Sequence, residues 1–115
     1  MKDVYEKIQY KDKEYRLVFN LNVMEQIQEE YGSMDEWGKE TDLSSGEPNA
    51  KAVKFGIMCM LNEGIDIVNE ENGTNDSPLT AKQVGRMLTE VGLALATKKL
   101  NDAVIKSTES TEKNG

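Results

Sequence analysis

The sequence predicts an α+β fold: an N-terminal β-hairpin followed by a helix-dominated domain of four to five helices. Three observations carry that prediction. Apolar residues alternate with polar ones as far as Phe19, the apolar period then lengthens toward about 3.6, and capping residues punctuate the remainder of the chain. With 115 residues there is room for one packed core and not two, so residues 1–106 are expected to form a single domain and residues 107–115 a disordered tail.

Residues 4–10 and 14–19 read as the two strands. Val4, Ile8 and Tyr10 share one parity, and Tyr15, Leu17 and Phe19 alternate with Glu14, Arg16 and Val18. The connector Lys11-Asp12-Lys13 is polar and compact but lacks Asn-Gly or Asp-Gly, which leaves register and turn type open. A lone hairpin is barely stable in water, so it must pack on the helices that follow or pair with another chain. An edge available to a partner is therefore one expectation.

After Phe19, Leu21, Met24, Ile27 and Tyr31 fall on one helical stripe, with Asn20 or Asn22 to cap its start and Gly32 to end it. Ser33 and Glu36 form a capping box for a short helix carrying Met34 and Trp37. That tryptophan either covers one end of the core or serves as a binding hot spot. Residues 39–49 read as a polar loop, with Pro48 suited to the first turn of the next helix.

From Ala50 to Leu61 the chain is apolar nearly all round. One stripe holds Val53, Ile57, Met60 or Leu61, then Ile65 or Val68; a second holds Ala52, Phe55, Gly56 and Cys59. A helix apolar on two faces is either the central element of a small domain or the contact with another subunit. Residues 69–78 read as a polar connector. A calcium loop does not fit there, because Gly73 at its sixth position would put Val68 at the first and Leu79 at the twelfth. Thr80 and Gln83 form a second capping box for a helix with Val84, Met87, Leu88 and Val91. Gly92 marks a break, and a final helix carries Leu93, Ala96, Leu100, Ala103 and Val104.

Composition narrows the chemistry. A formal net charge of −7 opposes unassisted binding to a phosphate backbone or an anionic membrane. There is no histidine, which removes the commonest general base and transition-metal ligand, and the lone Cys59 sits among Ile57, Met58, Met60 and Leu61, where a thiolate is disfavoured. Adjacent carboxylates such as Glu29-Glu30 and Glu70-Glu71 diverge on a helix, and no glycine loop precedes Lys-Ser or Lys-Thr at phosphate-binding spacing. No catalytic, cofactor or metal residues are assigned. The N-terminus lacks the apolar core of a signal peptide, and no run reaches the ~18 apolar residues of a membrane span. With a single cysteine, a reducing cytoplasm is the expected compartment. What remains is a binding module with some surplus apolar helical surface, whose six methionines either fill the core or equip an adaptable surface.

The segment Tyr15-Arg16-Leu17-Val18-Phe19-Asn20-Leu21-Asn22-Val23-Met24-Glu25-Gln26-Ile27, continuing through Tyr31-Gly32-Ser33-Met34, resembles the tail assembly chaperones of long-tailed phages and prophages of low-GC Gram-positive bacteria. Leu61-Asn62-Glu63-Gly64 at the end of the apolar run and Leu79-Thr80-Ala81-Lys82-Gln83-Val84-Gly85 extend the likeness over roughly residues 15–105. The resemblance implies a protein of the host cytoplasm, absent from the mature virion, that coats and solubilises the tape-measure protein and helps recruit tail-tube subunits. It also implies a possible frameshifted extension joined after residue 106. Within that reading, Met24, Val53, Ile57, Met58, Met60, Leu61 and Met87 are expected to border an apolar surface for a client or for self-association into a homo-oligomer. The competing expectations are an acidic regulatory or adaptor protein that binds another phage or host protein, and a small enzyme working through carboxylates or a carboxylate-bound metal.

Overall fold

A computed structural model describes residues 5–42, 44 and 46–114, with side chains as far as Thr108. It has a two-stranded antiparallel hairpin followed by five helices, the α+β, helix-dominated class that the periodicity predicts. Strand β1 spans Tyr5–Tyr10 and β2 spans Lys13–Val18, with Tyr10 opposite Lys13 and Ile8 opposite Tyr15. Val4, expected to open the first strand, lies outside the described residues.

The connector has two residues, Lys11 and Asp12, and both have positive φ, 49° and 63°. That is the requirement of a type I′ turn, whose twist matches that of the flanking strands. The turn is thus made without glycine, at the steric cost of two L-residues in left-handed backbone. Two ammonium–ring contacts flank it: Lys11 over Tyr10 and Lys13 over Tyr15.

Counting outward from Tyr10 and Lys13, pairs alternate so that the carbonyls of Tyr5 and Lys7 point away from β2. Helix α5, Leu93–Asn114, meets both: Lys106 donates to the Tyr5 carbonyl at 3.3 Å and Lys99 to that of Lys7 at 2.8 Å. Glu6, between them, pairs with both lysines. Along this stretch the expected open edge is occupied from within the chain.

Helix α1 spans Leu21–Tyr31, capped by the Asn20 side chain, which accepts from the Val23 amide, and closed by Gly32 at φ 89°. Its buried residues are Val23 and Ile27, so the inward stripe is rotated from the one expected, and Leu21 stands 77% exposed. Burial of Val23 and Ile27 fixes the inward face, and the amides of Asn20 and Asn22, which both donate to Glu63 Oε2 at 2.7 and 3.0 Å, hold the helix start to α3 in that orientation.

Helix α2, Met34–Glu40, starts with Ser33 accepting from the Glu36 amide, and buries Trp37. The indole nitrogen donates to the Ala52 carbonyl at 3.1 Å, which makes this tryptophan a core lid and not an exposed hot spot. Helix α3 spans Ala50–Asn72, so it runs through Ile65 and Val68 of the expected stripe and takes in residues 69–72, which were expected to begin the polar connector. Asn49 caps it, so Pro48 sits just before the cap and not in the first turn. The run Asn62-Glu63-Gly64 continues the helix, and Gly73 ends it with φ 67°. Asn62 brackets Leu79 through both of its backbone groups and sets the entry to α4, Ala81–Val91. There Thr80 and Gln83 make both bonds of the capping box. Helix α5 is helical to Asn114, past residue 106, because neither glycine nor proline interrupts the chain before Gly115.

The core gathers Ile8 and Leu17 of the hairpin, Val23 and Ile27 of α1, Trp37, and the inner faces of α3, α4 and α5. Two close approaches set its geometry. A Cβ at Gly64 would lie 2.6 Å from the Arg16 carbonyl oxygen, and one at Gly56 would lie 2.5 Å from Trp37 Cζ2. Gly64→Ala should therefore lower unfolding free energy by about 1–3 kcal/mol in a denaturant titration, since backbone must move to admit the methyl. Gly85→Ala, whose Cβ meets only the Lys54 side chain at 3.5 Å, should be neutral or raise stability by up to about 1 kcal/mol. In the turn, Asp12→Gly should raise the denaturant midpoint, by about 1 kcal/mol of relieved left-handed strain.

Candidate functional site

The seven expected surface residues divide sharply. Val53, Ile57, Met60, Leu61 and Met87 are core, because α1 and α4 flank α3 while the hairpin and α5 cover its inner face. They form no accessible surface. Met24 and Met58 are half-buried and remain within reach of solvent.

Those two belong to a larger apolar seam. Asn20 and Asn22 hold the start of α1 to Glu63, and Tyr31 near its end meets Phe55 edge to face, ring centroids 5.8 Å apart at 65°. Helices α1 and α3 therefore run antiparallel. Met24 precedes Tyr31 by seven residues and shares its face, while Phe55, Met58 and Asn62 follow one another along the outer arc of α3. Met24, Tyr31, Phe55 and Met58 line about two helical turns of half-exposed apolar surface. The two aromatics were absent from the expected set. Their spacing, Tyr31 seven after Met24 and Phe55 three before Met58, was the available signal.

Carboxylates stand beside this seam. Burial raises the Tyr31 phenol above its ordinary pKa, and the charges of Glu30 and Glu40 raise it further. Cys59, behind the seam, is pushed up to about 11 by burial and then by Glu30. Both shifts favour the neutral forms, so the site supplies apolar contact and a polar rim and no activated nucleophile. Among the described residues no three acidic or cysteine side chains converge as metal ligands, and no helix is long and apolar enough to cross a membrane.

The chain's charge is unevenly placed. Residues 20–49, which form α1, α2 and the loop after them, hold eight acidic residues against one basic, Lys39, and so account for the entire −7. On the other side of α3 an open groove of about 400 Å³ runs between α3 and α4, floored by Ala50, Gly85, Leu88 and Leu93 and edged by Lys51 and Lys54.

The Cys59 environment has a measurable consequence. At pH 8 roughly one thiol in a thousand is ionised at a pKa of about 11, so the native protein should react with an aromatic disulfide reagent about 100-fold more slowly than the unfolded chain. Folding raises this pKa, so its contribution to stability is present below the ordinary value of 9.0 and is lost as pH rises toward 11. The denaturant midpoint should fall between pH 8 and pH 10.5, and fall less in Cys59→Ala. Comparison of the chain with protein-family models, with curated proteins and with solved structures finds no match in any of the three.

Proposed function

We propose that this protein is a phage tail assembly chaperone, which binds and solubilises the tape-measure protein in the host cytoplasm, helps recruit tail-tube subunits and is absent from the finished virion. The observation that carries the reading is the seam of Met24, Tyr31, Phe55 and Met58, an apolar surface half-open to solvent and bordered by carboxylates. A long apolar helical client needs such a surface: flexible methionines and flat aromatics accept varied side chains, and acidic flanks keep the complex dispersed. The resemblance of residues 15–34, 61–64 and 79–85 to that family supports the same role. Bond chemistry has no part in it.

Co-expression with the tape-measure protein encoded nearby tests this. The client should stay in the soluble fraction with the wild-type chain, and its soluble yield should drop several-fold with Phe55→Asp/Met58→Asp. Both side chains pack partly against the core, so the double variant is read only where its circular dichroism is native, and Met58→Gln, which keeps the side chain's length, should lower client solubility in the same direction. Equal client solubility with and without the chain would sink the chaperone reading. A second reading, an acidic regulatory or adaptor protein, draws support from the charge gathered on α1 and α2. It requires a basic partner whose capture survives Phe55→Asp/Met58→Asp and fails with Glu25→Lys/Glu29→Lys.

A further inference from the structure

We propose that the uncovered end of strand β1 takes up an extended peptide strand from a partner protein, one whose carboxylate is flanked by apolar residues, and seats it against the corner between α4 and α5. This does not depend on the chaperone reading, and the site shares no residue with the seam.

Helix α5 covers the outer edge of β1 only as far as Lys7. The alternation that points the Tyr5 and Lys7 carbonyls away from β2 also points both the amide and the carbonyl of Gln9 outward. Neither group has a hydrogen-bond partner among the described residues, and Gln9 is exposed. Lys106 and Lys99 serve the first two carbonyls, but one turn before Lys99 the helix presents Leu95, 48% exposed, which has nothing to donate. An open groove of about 490 Å³ runs beside this stretch, between residues 7–11 of the hairpin and Val91, Leu95 and Lys99 of the helices. A free strand edge beside an apolar floor is where extended peptides add: main-chain bonds hold the peptide, and alternate side chains select it.

The geometry of the edge dictates the sequence it accepts. In an antiparallel pairing the peptide residue opposite Gln9 exchanges both backbone bonds with it and projects to the same side of the sheet, away from the buried Ile8. The residues on either side of it project the other way, toward Val91 and Leu95, and are apolar. Charge selects the central residue. Lys7 and Lys11 lie two positions before and after Gln9; Lys7 reaches Glu14 only at 3.9 Å with both side chains half exposed, and Lys11 has no carboxylate within ion-pair distance among the described residues, its ammonium lying over the Tyr10 ring. A carboxylate opposite Gln9 therefore stands between two lysines. Glu90 lines the helical side of the groove and repels carboxylates from the flanking positions. A second copy of β1 does not fit, because antiparallel pairing about Gln9 sets Lys7 opposite Lys11.

An NMR titration of the intact, isotope-labelled chain with acetyl-Ser-Val-Glu-Val-Ser-amide tests the proposal. Amides of residues 7–11 and 90–99 should shift saturably with a Kd below about 5 mM, and solvent exchange of the Gln9 amide should slow. A probe with lysine in place of the glutamate should bind at least about fivefold more weakly. Gln9→Pro removes only an outward-facing N–H, so it should leave the Trp37 indole resonance in place and cut binding at least about tenfold. A probe methylated on the backbone nitrogen of its glutamate loses the bond to the Gln9 carbonyl and should fall by as much, with the protein itself unaltered. Four results would overturn the proposal: no saturable shift at residues 7–11, lysine and glutamate probes binding alike, a folded Gln9→Pro binding as the wild type does, or the methylated probe binding as tightly as its parent.

Discussion

Helix α3 packs on β2 and on each of the other four helices, and it does so because two of its positions carry no side chain. At Gly64 the helix backbone meets the Arg16 carbonyl of β2, and at Gly56 it lies against the indole of Trp37. A methyl at either site would push away the hairpin or the α2 lid. The remaining fixtures act at the ends of this contact. Arg16 pairs with Glu71 near the end of α3 at 3.3 Å, the Asn20 and Asn22 amides grip Glu63, and the Trp37 indole bonds the Ala52 carbonyl near its start. A helix of 23 residues, about 35 Å long, is thereby held along most of its length by neighbours that come from both sides of it in sequence.

This arrangement explains which features are legible in the sequence. Elements set by local chemistry stand where the residues put them: the alternating strands, the Asn20 and Ser33 caps, the reciprocal Thr80 and Gln83 box and the Gly92 break. Features decided by contacts distant in sequence do not show in one dimension. Gly64 follows an apolar run and reads as punctuation, yet it is a contact residue inside a helix that continues to Asn72. The inward face of α1 buries Val23 and Ile27 and leaves Leu21 outside, an orientation matched by the grip of Asn20 and Asn22 on Glu63 more than forty positions away. The turn at Lys11-Asp12 adopts positive φ without glycine because two short strands with a buried face demand a two-residue reversal.

The candidate site was less legible still, for a related reason. Methionines and branched residues on a two-faced helix are equally compatible with a core and with an interface, and which applies depends on how many neighbours the helix acquires. Here it acquires five, and Val53, Ile57, Met60, Leu61 and Met87 become interior. Only the arc that no neighbour covers stays open, and it carries Phe55 and Met58 beside Met24 and Tyr31 of α1. Burial there also explains the chemistry: the same low-dielectric surroundings that make the seam adhesive hold the Cys59 thiol and the Tyr31 phenol in their neutral forms.

A total of −7 spread evenly over a small domain would oppose every contact between copies, because like charges face each other whichever surfaces meet. Gathered on α1, α2 and the following loop, the same total leaves the rest of the chain close to neutral, and around the α3–α4 groove locally positive. The seam thus lies between an acidic side, on α1, and a basic one, where Lys54 faces α4.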